Sequence, residues 1–244
     1  MKNLVVITGA GVSAESGLKT FRDSDGLWEN YKVEDVATYT AWEKNPELVQ
    51  RFYNERRQQV IKAQPNSAHK AISDLQSYFD VTVITQNVDD LHERAGTDPD
   101  KIIHLHGNIR YAKSSNPNLA WAGMSSTIHE SYFWIEEGED LHYPDDKAPD
   151  GYPLRPHIVW FGEAVPLISQ AAEIVSEADL IIVVGTSMQV YPAAGLVHNA
   201  KQWTPIFYID PNPGDICISN EVNYIKKTAT KGFEDHFIDF LAYQ

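Results

Sequence analysis

Two histidines, His104 and His106, stand two residues apart in the apolar run IIHLH at 102–106. On a strand, that spacing points both rings to one face. Histidine is the natural general base near neutral pH, although a histidine on a buried strand also serves as a hydrogen-bonded core residue. A second polar group, Gln86, Asn87 and Asp89, follows the run VTVIT at 81–85. The two amides offer neutral donors and acceptors suited to sugar hydroxyls or an ordered water, and Asp89 can accept from a carboxamide. The same Asn-x-Asp spacing also suits a helix N-cap. A third pair, Tyr53 and Arg56, lies three residues apart in a helical pattern and shares a face. Guanidinium plus phenol makes a clamp for a carboxylate; the alternative is a packed tyrosine beside an arginine paired with an acidic neighbour.

A strand-like run ending at Thr8 feeds Gly9-Ala10-Gly11 and then a small residue, Ala14. Strand, glycine-rich turn and helix form a dinucleotide-binding pattern: Gly9 for the tight turn, Gly11 for close approach of the pyrophosphate, and a helix N-terminus facing its charge. Such turns also arise for packing reasons. The continuation through Ser13, Glu15 and Thr20-Phe21-Arg22-Asp23 reads as a polar loop over the ligand, with Arg22 a fixed cation or a surface partner of Asp23 or Asp25. Gly185-Thr186-Ser187 ends another apolar run and is expected to meet phosphates or ribose. Asp210 stands where an acidic side chain accepts from ribose hydroxyls, or else makes the turn before Pro211.

These groups need a scaffold. Apolar, β-branched runs at 4–8, 81–85, 102–106, 180–186 and 205–209 alternate with helical patterns at 46–63, 67–78, 166–177, 192–201 and 232–242. That alternation predicts an α/β fold: a doubly wound, Rossmann-like parallel sheet covered on both faces. The sheet domain is expected to comprise 1–32, 66–109 and 157–244. A small second domain is expected from two insertions, 33–65 and 110–156. Asn45-Pro46 marks a helix start.

The 244-residue chain carries 34 acidic and 20 basic residues, a formal charge of −14. Such a surface repels phosphate backbones, so no nucleic-acid partner is expected. No apolar run approaches the ~20 residues of a membrane span. The passage from Met1 into a strand leaves no room for a leader, so a cytoplasmic protein is expected. Cys217 is the only cysteine, which excludes a disulfide and a thiolate zinc cluster.

In their order, GAGVSAESGLKTFRD (9–23), TQNVDDLHERAG (85–96), HLHG (104–107), PHIVWFGE (156–163) and GTSMQVYPAAG (185–195) resemble the successive motifs of the sirtuins, the NAD-dependent protein-lysine deacylases. The resemblance spans nearly the whole chain. It implies NAD as cofactor, with Gly9, Ala10, Gly11, Ala14, Glu15, Phe21, Arg22, Gln86, Asn87, Asp89, Gly185, Thr186, Ser187 and Asp210 around it, Asp89 taking the nicotinamide amide. The family often has an asparagine near Asp210. The catalytic residues implied are His106 as base and Asn87, with His104 left structural. Acyl-lysine proteins or peptides are the implied partners, pairing as an added strand with 157–163, where Val159 and Phe161 flank the lysine tunnel. Tyr53 and Arg56 resemble the Tyr-x-x-Arg pair of the class III members, which remove succinyl, malonyl or glutaryl groups, and Ala37 matches their small pocket residue. Activity on acetyl as well as succinyl groups is expected. A monomer is common in the family. Most members hold a structural zinc with four cysteines between the HG motif and the substrate segment; this chain lacks them, so no metal is expected, and Trp121, Tyr132, Phe133, Trp134 and Tyr143 are expected to form a small core instead.

Two other readings stand beside this one. An NAD glycohydrolase or ADP-ribosyltransferase on the same scaffold needs neither a peptide-pairing segment nor a carboxylate clamp. A module that senses NAD without turnover needs no base.

Overall fold

The computed structural model of the protein describes residues 1–19, 27–28, 31–120 and 132–244, with backbone alone at 27–28 and 119–120. Phe21, Arg22 and Trp121 lie outside the described residues. In chain order the strands are β1 (Asn3–Thr8), β2 (Leu27–Trp28), β3 (Tyr31–Lys32), β4 (Asp80–Thr85), β5 (Ile102–His104), β6 (Gly107–Ser114), β7 (Tyr132–Trp134), β8 (Leu154–Ile158), β9 (Leu180–Val184), β10 (Ile206–Ile209) and β11 (Val222–Ile225). The α-helices are α1 (Ala10–Ala14), α2 (Val33–Val36), α3 (Tyr39–Lys44), α4 (Pro46–Lys62), α5 (Ser67–Asp74), α6 (Leu91–Arg94), α7 (Pro117–Ala120), α8 (Ile168–Ser176) and α9 (Ala229–Leu241).

Six strands form one sheet in the order β11-β10-β9-β1-β4-β5. Every neighbouring pair is parallel. The apolar runs alternate sides: Leu4 and Val6 of β1 pack with Ile72 of α5 and Phe233 and Phe240 of α9. Val5 and Ile7 pack on the other face with Ala171 and Val175 of α8 and with Leu196 and Val197. Two-sided burial is why these strands read as continuous apolar runs. Each such side chain contributes about 1.5–3 kcal/mol.

A separate three-stranded antiparallel sheet, in the order β7-β6-β8, lies largely within the second insertion. It packs through Ile109 and Ile158 into a third core with Val49, Phe52 and Tyr53 of α4. Helix α4 begins where Asn45-Pro46 predicts, and Asn45 Oδ1 accepts from Leu48 N at 3.2 Å.

Several expectations are corrected. The run at 102–106 is not one strand: β5 ends at His104, and Leu105-His106 turn into β6. The two histidines therefore do not share a strand face. The helical pattern at 192–201 is met by a 3-10 helix over 193–199. Ser13 is buried within α1 rather than in a polar loop. The expected aromatic core of 110–156 is replaced by a mixed arrangement, because Trp134 is 46% exposed and Tyr143 packs on Trp42 of α3. The second insertion is tied down largely by polar links. Asn54 of α4 donates to the carbonyl of Leu141 at 2.8 Å and accepts from its N–H at 3.2 Å. Asp150 accepts from Ser114 at 2.8 Å and from Asn116 at 3.3 Å, joining the ends of the insertion. Among the described residues no group of three or more His, Cys, Asp or Glu is placed to hold a metal ion, nor is any helix long and apolar enough to cross a membrane.

Candidate active site

The chain runs from β1 outward to β4 and β5, then returns to β9 on the other side of β1. The carboxyl ends of β1 and β9 thus flank the point where strand order reverses, the position where open α/β sheets bind ligands. Backbone meets backbone here. Gly9 N donates to Val184 O at 3.1 Å, and Gly11 N donates to Gly185 O at 2.7 Å. Gly185 sits at φ +64°, and a Cβ on it would strike the backbone of Gly11 and Val12. A Cβ on Gly11 would lie 2.7 Å from Gly185 Cα. The glycines are thus demanded first by the protein's own strand crossing, not by a ligand alone. Helix α1 has only five residues, so little axial dipole backs it.

Beneath this crossing lies a buried polar network. Ser13 Oγ donates to Asp89 Oδ2 at 3.0 Å, accepts from Asn87 Nδ2 at 3.1 Å and faces His69 Nε2 at 3.4 Å. His69 Nδ1 accepts from Asn66 N at 3.3 Å in a capping box at the start of α5. That bond leaves the ring proton on Nε2, aimed at Ser13. Burial lowers the His69 pKa to about 4, so the ring is neutral. Burial raises the Asp89 pKa, against the bonds from Ser13 and Leu91 N. Asp89 Oδ1 accepts from Leu91 N at 3.2 Å but stands one residue before Asp90, the N-cap of α6, and Asn87 turns its amide to Ser13, so neither caps the helix. Behind them, Thr85 Oγ1 accepts from Asn87 N at 3.0 Å and from Thr8 Oγ1 at 2.8 Å.

The two histidines differ in what their rings can do. His106 Nδ1 donates to Gln86 O at 3.0 Å, which fixes the neutral ring with its lone pair on Nε2. Burial lowers its pKa, partly opposed by the Gln86 carbonyl. The ring is thus held in its neutral form. His104 is bonded at both nitrogens, to Asn87 O at 3.3 Å and to Glu93 Oε1 at 2.7 Å. Burial works against its charged form, but Glu93 and the Asn87 carbonyl raise its pKa overall. Both of its nitrogens are taken up by partners within the chain.

Gln86 Nε2 donates to Thr186 Oγ1 at 3.1 Å, linking the ends of β4 and β9 across β1. Asp210 is buried, and its Oδ1 accepts from Asn212 N at 2.8 Å, an Asx turn of the kind its position before Pro211 allows. Glu15 bonds Thr230 N at 3.1 Å and Thr230 Oγ1 at 2.7 Å at the start of α9. Ala14 is exposed, Ala10 and Ser187 half-buried.

On the other side of His106, β8 stops at Ile158 and residues 159–163 run on as a connecting segment. Val159 N donates to His106 O at 2.9 Å, and Phe161 N donates to Ala37 O at 3.0 Å. The segment thereby ties the base to the buried Ala37. Glu163 anchors it, accepting both guanidinium nitrogens of Arg155 at 2.8 Å and Trp160 N at 2.8 Å. Phe161 is half exposed, whereas Trp160 is buried. Tyr53 and Arg56 share a buried face of α4 as their spacing predicts. Tyr53 Oη accepts from Trp160 Nε1 at 3.0 Å, and Arg56 donates to Gln59 Oε1 at 2.9 Å and Lys19 O at 3.2 Å.

Ser13's bonds to Asn87 and Asp89, His69 and the Arg155–Glu163 pair escape a reading of the sequence alone. Their partners lie 56 to 76 residues away for Ser13, and Glu163 looks like an exposed strand end. The signal available was Ser13 itself, an unexplained hydroxyl inside a glycine-rich turn.

This architecture and site can now be set against known proteins. A model of the Sir2 family matches residues 9–192. A protein of Helicobacter pylori named an NAD-dependent protein deacylase is 47% identical over 236 residues, covering 96% of each chain. One of Bacteroides thetaiotaomicron with the same name is 47% identical over 235 residues, again covering 96% of each. A solved Sir2 homologue–NAD complex superposes with a TM-score of 0.82 at 37% identity, covering 100% of this chain and 91% of that one. A Sir2 homologue mutant–ADP ribose complex gives 0.83 at 38%, covering 100% and 94%. The chain belongs to the Sir2 family.

Proposed function

We propose that the protein is an NAD-dependent protein-lysine deacylase, acting on succinyl- or malonyl-lysine as well as acetyl-lysine. The observation that carries the reading is His106, whose Nδ1 bond to Gln86 O presents Nε2 as a base beside the Ser13–Asn87–Asp89 network. The names and complexes of the relatives point the same way.

The residues at the strand crossing fit a dinucleotide. The crossing opens at a topological switch point, and Gln86, Asn87 and Thr186 supply neutral amide and hydroxyl groups suited to ribose. Asp89 suits the nicotinamide carboxamide. When bound, NAD supplies the nicotinamide–ribose bond that is broken and the ADP-ribose that carries away the acyl group. His106 Nε2 takes a proton from a ribose hydroxyl, and the Gln86 carbonyl stabilises the imidazolium that results. Asn87, with its amide held by Ser13, orients a hydroxyl or a water. Val159 and Phe161 position the acyl-lysine beside His106. Tyr53 and Arg56 take the distal carboxylate, and Ala37 leaves room for it. The base in its neutral form and the acyl-side segment favour this reading over glycohydrolysis or simple NAD sensing.

Nicotinamide release is the test, measured with acetyl- and succinyl-lysine peptides and without peptide. His106→Tyr is expected to lose at least about 100-fold on both, while Arg56→Met loses succinyl turnover and keeps acetyl turnover. Equal release without peptide would point instead to a glycohydrolase.

A further inference from the structure

We infer that His104 is a positioning residue for the chemistry proposed above: paired with Glu93 as an imidazolium, it holds the main chain of Asn87, so the site works while His104 is charged and His106 is neutral. The inference rests on that proposed function. Asn87 is placed by three bonds. Its N–H donates to Thr85 Oγ1 at 3.0 Å, its Nδ2 donates to Ser13 Oγ at 3.1 Å, and its carbonyl meets His104 Nδ1 at 3.3 Å. The other nitrogen of His104, Nε2, meets Glu93 Oε1 at 2.7 Å. A carbonyl and a carboxylate oxygen only accept, so both ring nitrogens donate, which a histidine does only as the cation. Asn108 Nδ2 lies 3.4 Å from Nε2 and 3.5 Å from Glu93 Oε1. A lone pair on Nε2 turned to Asn108 would also face the carboxylate at 2.7 Å, so the amide serves Glu93 instead.

The surrounding charges agree. Burial works against the imidazolium, but Glu93, the Asn87 carbonyl and Asp89 together raise the His104 pKa. His92 on α6 and His157 on β8 are the other rings nearby; burial holds both well below the usual histidine range, and the charge on His104 adds to this. The His104 charge is therefore lost as pH rises through its raised pKa. The remaining proton then stays on Nε2, at the stronger acceptor, and Nδ1 turns a lone pair toward Asn87 O. Asn87 loses one of its three bonds, and the amide that orients a hydroxyl or a water loosens.

The experiment follows kcat/KM for an acetyl-lysine peptide against pH in wild type, Glu93→Gln and His104→Phe, together with the ring nitrogen NMR signals of wild-type His104. Those signals are expected to show both nitrogens protonated at acid pH, with a midpoint above 6.5. Glu93→Gln is expected to move the alkaline limb of the profile down by about one pH unit or more, because the partner charge is gone. His104→Phe is expected to lower kcat about tenfold below that limb and to matter little above it, with the peptide KM unchanged. A merely structural role would give the same loss at every pH, and that result overturns the inference. So does a His104 ring that titrates at or below 6.5, or an alkaline limb indifferent to Glu93→Gln. A wild type that deacylates at no pH overturns the proposed function itself, and the inference with it.

Discussion

The strand crossing and the second insertion are held by different forces. At the crossing, Gly9, Gly11 and Gly185 bring main chains together so closely that side chains are excluded, and the nearby polar groups are buried and mutually satisfied. The second insertion is joined to its surroundings by side-chain bonds as well as by the apolar packing of Ile109 and Ile158 against α4. Asn54 grips Leu141 from both sides, and Arg110 meets Asp90 at 2.8 Å. Backbone apposition tolerates almost no substitution, because any Cβ displaces main chain. Side-chain links can be exchanged for others of equal strength. The buried polar network lies beside the crossing, where the main chains leave no room for a Cβ.

This contrast can be broken experimentally, the largest effect first. Gly185→Ala places a Cβ against Val12 and Gly11 at positive φ. It is expected to cost at least about 3 kcal/mol and to abolish NAD binding in whatever remains folded, measured by chemical denaturation and calorimetry. A variant that binds NAD normally would show that the crossing is softer than its geometry implies. Asn54→Ala removes both bonds to Leu141 and a partner of the buried Arg57 guanidinium. A loss of about 2 kcal/mol is expected, with faster amide exchange at Leu141 and little change at β1. Exchange that quickens equally in both regions would mean they unfold as one. The smallest effect concerns His106. Its neutral form is the active one, and burial lowers its pKa, so activity persists into more acidic solution than an ordinary histidine allows. The acid limb of kcat/KM is expected to have its midpoint below 6.5. A midpoint above that value would mean that charge, not burial, governs the ring.

Much of this was readable in advance, for identifiable reasons. The parallel sheet announces itself because strands buried on both faces are apolar throughout, and α4 because Asn45-Pro46 is a local start signal. The face shared by Tyr53 and Arg56 follows from helical spacing alone. The turn at Leu105-His106 was not readable, because apolar alternation continues through it while pairing partners change from β4 to β8. Nor was the small antiparallel sheet, whose strands pair with partners distant in sequence.

The sequence by itself determined the class of fold, the order of the motifs and the residue types available for chemistry, since periodicity and turn composition are local properties. Only the tertiary structure decided how the two similar histidines are held. His104 and His106 differ by their partners, a carboxylate and a carbonyl against a carbonyl alone. Protonation is set by burial and by neighbours brought together from distant parts of the chain, and no spacing of letters encodes that directly.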